Sequence, residues 1–233
     1  MIDLPGHGKT PPLEGPTTVY TLADAVTEFL ERNGLTGIDV VGSSMGARLV
    51  LELARRGGVV GAVVSLDPGG FWEGWQRPFF YHTVAVSVRL LRVLKFGLPA
   101  LTDNVLTRSL LLAQFTVRPW DVEPRIALAE LKSFVASPVF DELLHNLAYG
   151  QEQEGAERGS IVKPIMIGWG RQDRVCFPSQ AKKALHLFPD AHVYWFKRCG
   201  HFPHWDKPAE TAALILRVTA VPVPEKVAEE RLT

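Results

Sequence analysis

The sequence has few cysteines, no long apolar run and no excess of charge. Two cysteines among 233 residues exclude a disulfide scaffold, and no Cys-x-x-Cys pair indicates a zinc site. No stretch of about 18 residues is both apolar and uncharged, so no segment is expected to span a membrane. The 25 basic and 25 acidic side chains balance, which argues against a nucleic-acid partner bound through a basic surface. The chain also starts without the charged and apolar segments of a secretion signal, which favours the cytoplasm.

What the sequence does contain is typical of a folded enzyme-sized domain. Hydrophobic residues make up 46% of the chain and charged residues 21%, which excludes a mainly disordered protein. A length of 233 residues suits one large domain, or one domain with a sizeable insertion.

Short apolar runs alternate with amphipathic segments at both ends of the chain. The expected strands are 38–41, 59–66, 164–169 and 192–196. The expected helices are 21–33, 45–56, 179–187 and 208–218, and the first is predicted to start at a capping box of Thr21 and Asp24 and to end before Gly34. This alternation predicts an α/β fold with a mostly parallel sheet and helices on both faces.

A helical stretch rich in aromatic residues separates the two halves. It runs from about 70 to 160 and interrupts the alternation, so we interpret it as a helical cap inserted after the strand at 59–66. The core then comprises 1–69 and 161–220, and the charged end at 221–233 is expected to be a flexible tail.

One expected cap helix, 84–98, is apolar except for three basic residues. Arg89, Arg92 and Lys95 are spaced by three and therefore form one narrow basic stripe. Two interpretations stay open: a solvated edge of the cap, or a contact with anionic head groups at a membrane interface.

The strongest chemical signal is a G-x-S-x-G pattern at residues 42–46, between an expected strand and an expected helix. The sharp turn requires small residues two before and two after its central serine, a need that Gly42 and Gly46 meet. Such a turn raises the Ser44 hydroxyl above the sheet and places the Met45 backbone N–H beside a developing oxyanion. Ser44 is therefore the candidate nucleophile.

A serine nucleophile needs a base and an acid that orients the base. His201 follows the strand at 192–196 and is the favoured base, with His204 as the rival. Asp173 follows the strand at 164–169 and is the favoured acid, with Asp67 after the strand at 59–66 as the rival. All of these positions come at the ends of expected parallel strands, which meet at one edge of the sheet.

Other candidates carry less weight. The run Gly8-Lys9-Thr10 lacks the first glycine of a phosphate-binding loop, because Asp3 occupies that position, so no nucleotide cofactor is expected. Cys176 and Cys199 are interpreted as unpaired thiols. No metal ligand set and no cofactor motif is recognised, so neither a metal nor a cofactor is expected.

The motifs together resemble those of the α/β-hydrolase superfamily, of the capped esterase, lipase and C–C hydrolase kind. Residues 3–8 resemble its D-x-x-G-H-G turn, and residues 42–46 its nucleophile elbow. The loops at 170–173 and 200–201 resemble those that supply its acid and its histidine. The resemblance covers 1–68 and 160–219 and implies a structural role for His7 rather than a catalytic one.

The chain departs from this family at its start. Family members usually carry further strands before the D-x-x-G-H-G turn, and one of these ends in a His-Gly loop that supplies the second oxyanion donor. Its absence leaves a gap in the expected sheet, with unpaired backbone groups on both sides. The sequence therefore suggests an N-terminally truncated hydrolase.

The resulting expectation is a serine hydrolase that cleaves a carboxylic ester, or a related acyl compound, with a hydrophobic acyl or aromatic part. Two alternatives stay open: hydrolysis of a C–C bond in a diketone-type substrate, and a truncated homologue without activity. The expected partner is a small hydrophobic substrate. An exposed sheet gap also leaves open pairing into a homo-oligomer.

Overall fold

The centre of the protein is a sheet of four parallel strands, and the computed structural model describes residues 2–219. The strands are β1 (Val40–Ser43), β2 (Val63–Leu66), β3 (Ile165–Gly170) and β4 (Ala191–Phe196). The helices are α1 (Val19–Arg32), α2 (Met45–Arg56), α3 (Gln76–Val93), α4 (Leu98–Asp103), α5 (Val105–Leu112), α6 (Pro124–Ala136), α7 (Phe140–Tyr149), α8 (Ala181–Leu187), α9 (Pro203–Asp206) and α10 (Pro208–Thr219). The tail expected at 221–233 lies outside the described residues.

The strands lie in chain order, β1-β2-β3-β4, and every neighbouring pair is parallel. Parallel neighbours require a crossover between them, which α2 supplies after β1 and α8 after β3. The carboxyl ends of all four strands therefore meet at one edge of the sheet. This is the edge at which loops can bring distant residues together.

Helices cover both faces of the sheet, as the sequence predicts. Val63 and Ile167 face a cluster that includes the buried residues of α1, α2 and α8. Their neighbours Val64 and Leu66 face the opposite way and pack with Leu214 of α10. Successive side chains of a strand point to opposite faces, so strands that are apolar at every position are buried on both sides.

Several local boundaries differ from the sequence predictions: the strand expected at 38–41 is Val40–Ser43, and the helix expected at 179–187 starts at Ala181. The strand expected at 59–66 starts only at Val63, because the chain before it turns: the Gly61 N–H donates to the Ile38 carbonyl at 2.7 Å. Helix α1 is capped by Thr18 rather than Thr21. The Thr18 hydroxyl accepts from the Thr21 N–H at 3.1 Å, and the Thr21 hydroxyl accepts from the Thr18 N–H at 2.9 Å.

Residues 76–149 form helices α3 to α7, which have a small apolar core of their own. That core is built around Leu91, Leu98, Leu112 and Leu131. The helix expected at 84–98 overlaps the second part of the longer α3, but α3 ends at Val93. Residues 94–97 form a turn, in which the Gly97 N–H donates to the Leu94 carbonyl at 2.8 Å. Within residues 2–219, no helix combines the length and hydropathy needed to cross a bilayer.

Strand β1 lies at the edge of the sheet. It pairs with β2 on one side, and no described residue pairs with its other side. Val41 on this strand is 45% exposed, unlike the fully buried residues of β2.

A buried polar network joins α2 to the loop that precedes β3. Arg48 of α2 donates to the Gln151 carbonyl at 2.7 Å and to the Gln153 side chain at 3.3 Å. Gln153 in turn donates to the Glu52 carboxylate at 3.3 Å. Both α2 side chains are buried, so their charges depend on these partners rather than on water.

Candidate active site

Ser44 is the single residue between β1 and α2, and its backbone is strained. It has φ 56° and ψ −114°, in the left-handed half of the map where a side chain costs about 1–3 kcal/mol. The turn is closed by Gly42, because a Cβ there would lie 2.1 Å from the Gly46 carbonyl oxygen. A Cβ added to Gly46 would have no heavy atom within 4 Å, so no steric contact at this point requires the small residue that the sequence analysis expected at position 46.

The structure brings the three favoured residues into one hydrogen-bonded chain. His201 Nε2 lies 2.8 Å from Ser44 Oγ, and His201 Nδ1 lies 2.8 Å from Asp173 Oδ2. The other carboxylate oxygen, Asp173 Oδ1, accepts from the N–H groups of Val175 (2.7 Å) and Cys176 (3.0 Å). An acceptor-only carboxylate holds the proton on Nδ1, which leaves Nε2 free to accept from the serine hydroxyl.

The loops that carry Asp173 and His201 are packed backbone to backbone. A Cβ on Gly170, the last residue of β3, would lie 1.9 Å from the Gly200 carbonyl oxygen. No other residue fits at that position without moving one loop. This close approach sets the separation between the aspartate and the histidine.

Sequence reasoning missed the residue that holds the histidine loop. Asp206 is buried and accepts from the Gly200 N–H at 2.7 Å. The N–H groups of His201 and Phe202 both donate to the Phe115 carbonyl, at 2.8 and 3.2 Å. Phe115 is distant in sequence, so no local pattern could have indicated this anchor.

The rival acid, Asp67, is buried near Asp173, but among the described residues it forms no hydrogen bond to His201. Asp67 Oδ1 accepts from the Gly170 N–H at 2.8 Å. Burial, and then the nearby Asp173 carboxylate, raise the pKa of Asp67 well above its usual value. The raised pKa favours the protonated form of Asp67 in the folded protein, and Asp67 Oδ2 has no hydrogen-bond partner among the described residues.

Replacing Asp67 with asparagine is expected to stabilise the protein increasingly as the pH rises. The amide keeps an acceptor for the Gly170 N–H and places no charge beside Asp173. The wild-type chain must bind a proton at Asp67 on folding, so its stability falls above the unfolded pKa of about 4. The difference in free energy of unfolding between Asp67→Asn and wild type should therefore widen by up to about 1.4 kcal/mol per pH unit.

Urea unfolding of wild type and Asp67→Asn at several pH values measures this gap. The exposed Asp103 provides the control, since Asp103→Asn should give no widening. A constant difference between Asp67→Asn and wild type would show that Asp67 is charged in the folded protein.

The rival base, His204, lies on α9 and lines the pocket, in edge-to-face contact with Trp205. Among the described residues it forms no hydrogen bond to Ser44 or Asp173. His7 lies in the turn at residues 5–8, where its Nδ1 is 3.1 Å from the Pro5 carbonyl. His7 also lines the pocket, which the sequence did not indicate.

The Ser44 hydroxyl opens into a cavity of about 380 Å³. Its apolar wall is made of Phe80, Val84, Val88, Leu91, Phe134, Phe140, Leu143, Leu144 and Leu147. Glu130 of α6 is the acidic residue in this lining, and burial raises its pKa. Ser133 and Ser137, three and seven residues after Glu130, also line the cavity. The Ser137 hydroxyl donates to the Gly6 carbonyl at 3.0 Å.

Met45 also lines the pocket, next to Ser44. It is the first residue of α2, so its N–H has no acceptor within the helix. The positive end of the helix dipole lies here too, which favours negative charge at this point.

Cys176 and Cys199 are both buried, free thiols. Burial raises the pKa of each, so both are protonated at neutral pH. Cys176 lies with Asp173 and His201 in a group whose ligand atoms are within 4.8 Å of one another. A protonated thiol beside an aspartate and histidine that already bond to each other does not fit a metal ion.

A parallel sheet with a serine on a strained strand-to-helix turn, linked to a histidine and an aspartate at the same sheet edge, is the arrangement that defines α/β hydrolases. The alpha/beta hydrolase family model matches residues 1–214. The chain therefore belongs to the alpha/beta hydrolase family.

The chain is similar to known proteins that have several different activities. The chain is 28% identical over 225 residues to a dihydrolipoyllysine-residue acetyltransferase component of an acetoin cleaving system from Cupriavidus necator, covering 92% of the chain but 54% of that protein. It is 23% identical to a 2-hydroxy-6-oxononadienedioate/2-hydroxy-6-oxononatrienedioate hydrolase from Pseudomonas sp, covering 94% and 76%. A thermophilic esterase from Thermogutta terrifontis superposes with a TM-score of 0.67 at 15% identity, covering 92% and 76%. The chain thus spans about half the length of the first of these relatives.

Proposed function

We propose that this protein is a serine hydrolase that cleaves neutral carboxylic esters with a hydrophobic acyl or aromatic part. The observation that carries the proposal is the hydrogen-bonded chain from Ser44 through His201 to Asp173, which opens into an apolar cavity. The domain division of the sequence analysis belongs to this proposal: helices α3 to α7 act as a cap, because their side chains make most of the cavity wall.

In the proposed mechanism, the Ser44 oxygen forms a bond to the substrate carbonyl carbon while its proton passes to His201 Nε2. Asp173 holds the imidazole orientation and stabilises the positive charge that develops on it. The Met45 N–H donates to the carbonyl oxygen as this becomes negative. His201 then returns the proton to the leaving alcohol, and water, activated by the same histidine, releases the acid from Ser44.

The charges in the pocket support a neutral substrate. None of the described lining residues is an arginine or lysine, and Glu130 adds an acidic group. An anionic substrate would lose its hydration in this cavity without gaining a fixed cation in return. The long apolar wall instead suits an acyl chain or an aromatic ring.

The second candidate is C–C bond hydrolysis, which is favoured by the names of several relatives. Those names describe dioate and dienoate compounds, which carry carboxylate groups. The lack of a lysine or arginine in the lining makes such compounds poor ligands for this pocket. We therefore place ester hydrolysis first.

The direct test is the reaction of the purified 233-residue chain with a fluorophosphonate. The Ser44 oxygen should form a bond to phosphorus as fluoride leaves, adding one phosphonyl group to the intact mass. Ser44→Ala should remain unmodified, and Ser43→Ala should still react, because Ser43 Oγ forms no hydrogen bond to a described residue. An unmodified wild-type chain would support a homologue without activity.

Labelling does not distinguish the two reactions, so the unlabelled enzyme is then compared on two substrates. A neutral p-nitrophenyl ester of a medium-length fatty acid should be hydrolysed with the higher kcat/KM. A 2-hydroxy-6-oxo-dienoate cleaved faster than the ester would reverse the order of the two candidates.

A further inference from the structure

Helix α3 has two different apolar faces. Its inner face, with Phe80, Val84 and Val88, lines the cavity. The opposite side carries further large apolar residues at helical spacing, and these are exposed: Val86 is 61%, Leu90 51% and Val93 79% exposed. Phe96, in the turn that follows α3, is 88% exposed. Exposed apolar residues that repeat along one side of a helix indicate a binding surface.

The same segment has charge of one sign. Residues 74–102 contain four basic side chains and no acidic one. Arg77 pairs with Glu152, and Arg92 pairs with Asp141. Arg89 and Lys95 are exposed and form no ion pair with any described residue. The outer face of α3 is here defined as Val86, Arg89, Leu90 and Val93 of the helix together with Lys95 and Phe96 of the turn that follows it.

We propose that the outer face of α3 binds the surface of an anionic lipid bilayer. Exposed apolar side chains interleaved with unpaired cations are the combination that an interfacial helix needs: the apolar groups enter the acyl boundary, and the cations meet the lipid phosphates. In the proposed binding mode, α3 lies along the bilayer surface with its axis in the interface plane.

A second copy of the chain is a poorer occupant of this face. A two-fold contact through the outer face of α3 would set the cations of one copy against those of the other. No acidic side chain in 74–102 could compensate them. Anionic phosphates supply the missing charge.

This inference goes beyond the proposed hydrolase, and it also connects with it. Since the inner face of α3 forms part of the cavity wall, a bound bilayer would lie one helix away from the pocket. Membrane binding itself needs no reaction at Ser44. The two proposals can therefore fail separately.

Vesicle flotation with the full chain tests the inference. The chain should float with vesicles of mixed phosphatidylglycerol and phosphatidylcholine at about 0.05 M salt, and should stay unbound at about 0.5 M salt, where surface charges are screened. Vesicles of phosphatidylcholine alone should bind it more weakly.

Two kinds of variant separate charge from apolar contact. Arg89→Gln and Lys95→Gln should each weaken binding to the anionic vesicles about fivefold. Val93→Glu should weaken it at least about tenfold, because it removes an exposed apolar side chain that would enter the acyl boundary and adds repulsion from the lipid phosphates. Val162→Glu is the matched control, since Val162 is 91% exposed and lies far from α3 in the chain.

Three results would overturn the inference. The first is no flotation with anionic vesicles at low salt, and the second is an equal loss for Val93→Glu and Val162→Glu. The third is sedimentation behaviour in which wild type is a dimer and Val93→Glu a monomer, which would assign this face to a second copy. Unchanged melting temperatures and unchanged fluorophosphonate labelling establish that each variant is folded. If the wild-type chain floats with the vesicles but is not labelled, the hydrolase proposal alone is refuted.

Discussion

Asp173→Asn is expected to lower kcat/KM for ester hydrolysis by about 10⁴-fold while the protein stays folded. The reason lies in the three groups that face the carboxylate. Asp173 Oδ1 accepts from two backbone N–H groups, and Asp173 Oδ2 accepts from His201 Nδ1. All three partners are donors, and an asparagine can present only one oxygen.

The asparagine oxygen will stay with the two backbone N–H groups, because the opposite orientation would set the amide N–H₂ against both of them. The amide then donates to His201 Nδ1, which must give up its proton. The remaining proton sits on Nε2, where it blocks transfer from the Ser44 hydroxyl.

Steady-state kinetics on a neutral ester measures this loss, and Asp103→Asn serves as the exposed control. A fall of less than about tenfold would show that Asp173 does not orient the base. A larger fall for Asp67→Asn than for Asp173→Asn would assign that role to Asp67.

Glu52→Gln is expected to lower the free energy of unfolding by about 3 kcal/mol at pH 7. The Glu52 side chain is fully buried, and its carboxylate accepts from Arg55 at 2.8 Å and from Arg56 at 2.8 Å. An amide of the same shape places an N–H₂ group against one of these guanidinium groups. Arg55 and Arg56 keep their pairs with Glu154 and Asp24, so the cost comes from a buried N–H₂ group set against a guanidinium donor and from the loss of the carboxylate that both arginines share.

The effect of Glu52→Gln should depend on pH. Burial by itself would raise the pKa of Glu52, but the hydrogen bonds from Arg55 and Arg56 outweigh it and lower the pKa. The carboxylate therefore stabilises the fold above its unfolded pKa of about 4.3 and loses this effect as the pH falls through the folded value. The difference between wild type and variant should shrink in that acidic range.

Urea unfolding at neutral and acidic pH measures both effects. Glu154→Gln is the matched control, because Glu154 also pairs with Arg55 but its side chain is 50% exposed. Exposed pairs contribute about 0–1 kcal/mol. An equal loss for both variants would mean that burial of Glu52 does not matter.

Much of the fold was accessible from the sequence because its signals are local. The α/β alternation and the helix at 45–56 follow from apolar periodicity, and the turn at Ser44 follows from the two glycines around it. The boundaries were less accurate. The strand expected at 59–66 loses its first half to a turn that is held by Ile38, and the cap of α1 moves to Thr18 because the helix begins earlier than its periodic residues indicate.

The sequence by itself determined that a serine, a histidine and two candidate aspartates come at the ends of parallel strands, since strand order and turn residues are encoded within short segments. Only the tertiary structure shows that Asp173, and not Asp67, is hydrogen-bonded to His201, because both aspartates lie at the same edge of the sheet. The tertiary structure also placed Glu130 in the pocket and Asp206 under the histidine loop. These contacts join residues far apart in the chain, and no local pattern encodes which distant side chain will meet which.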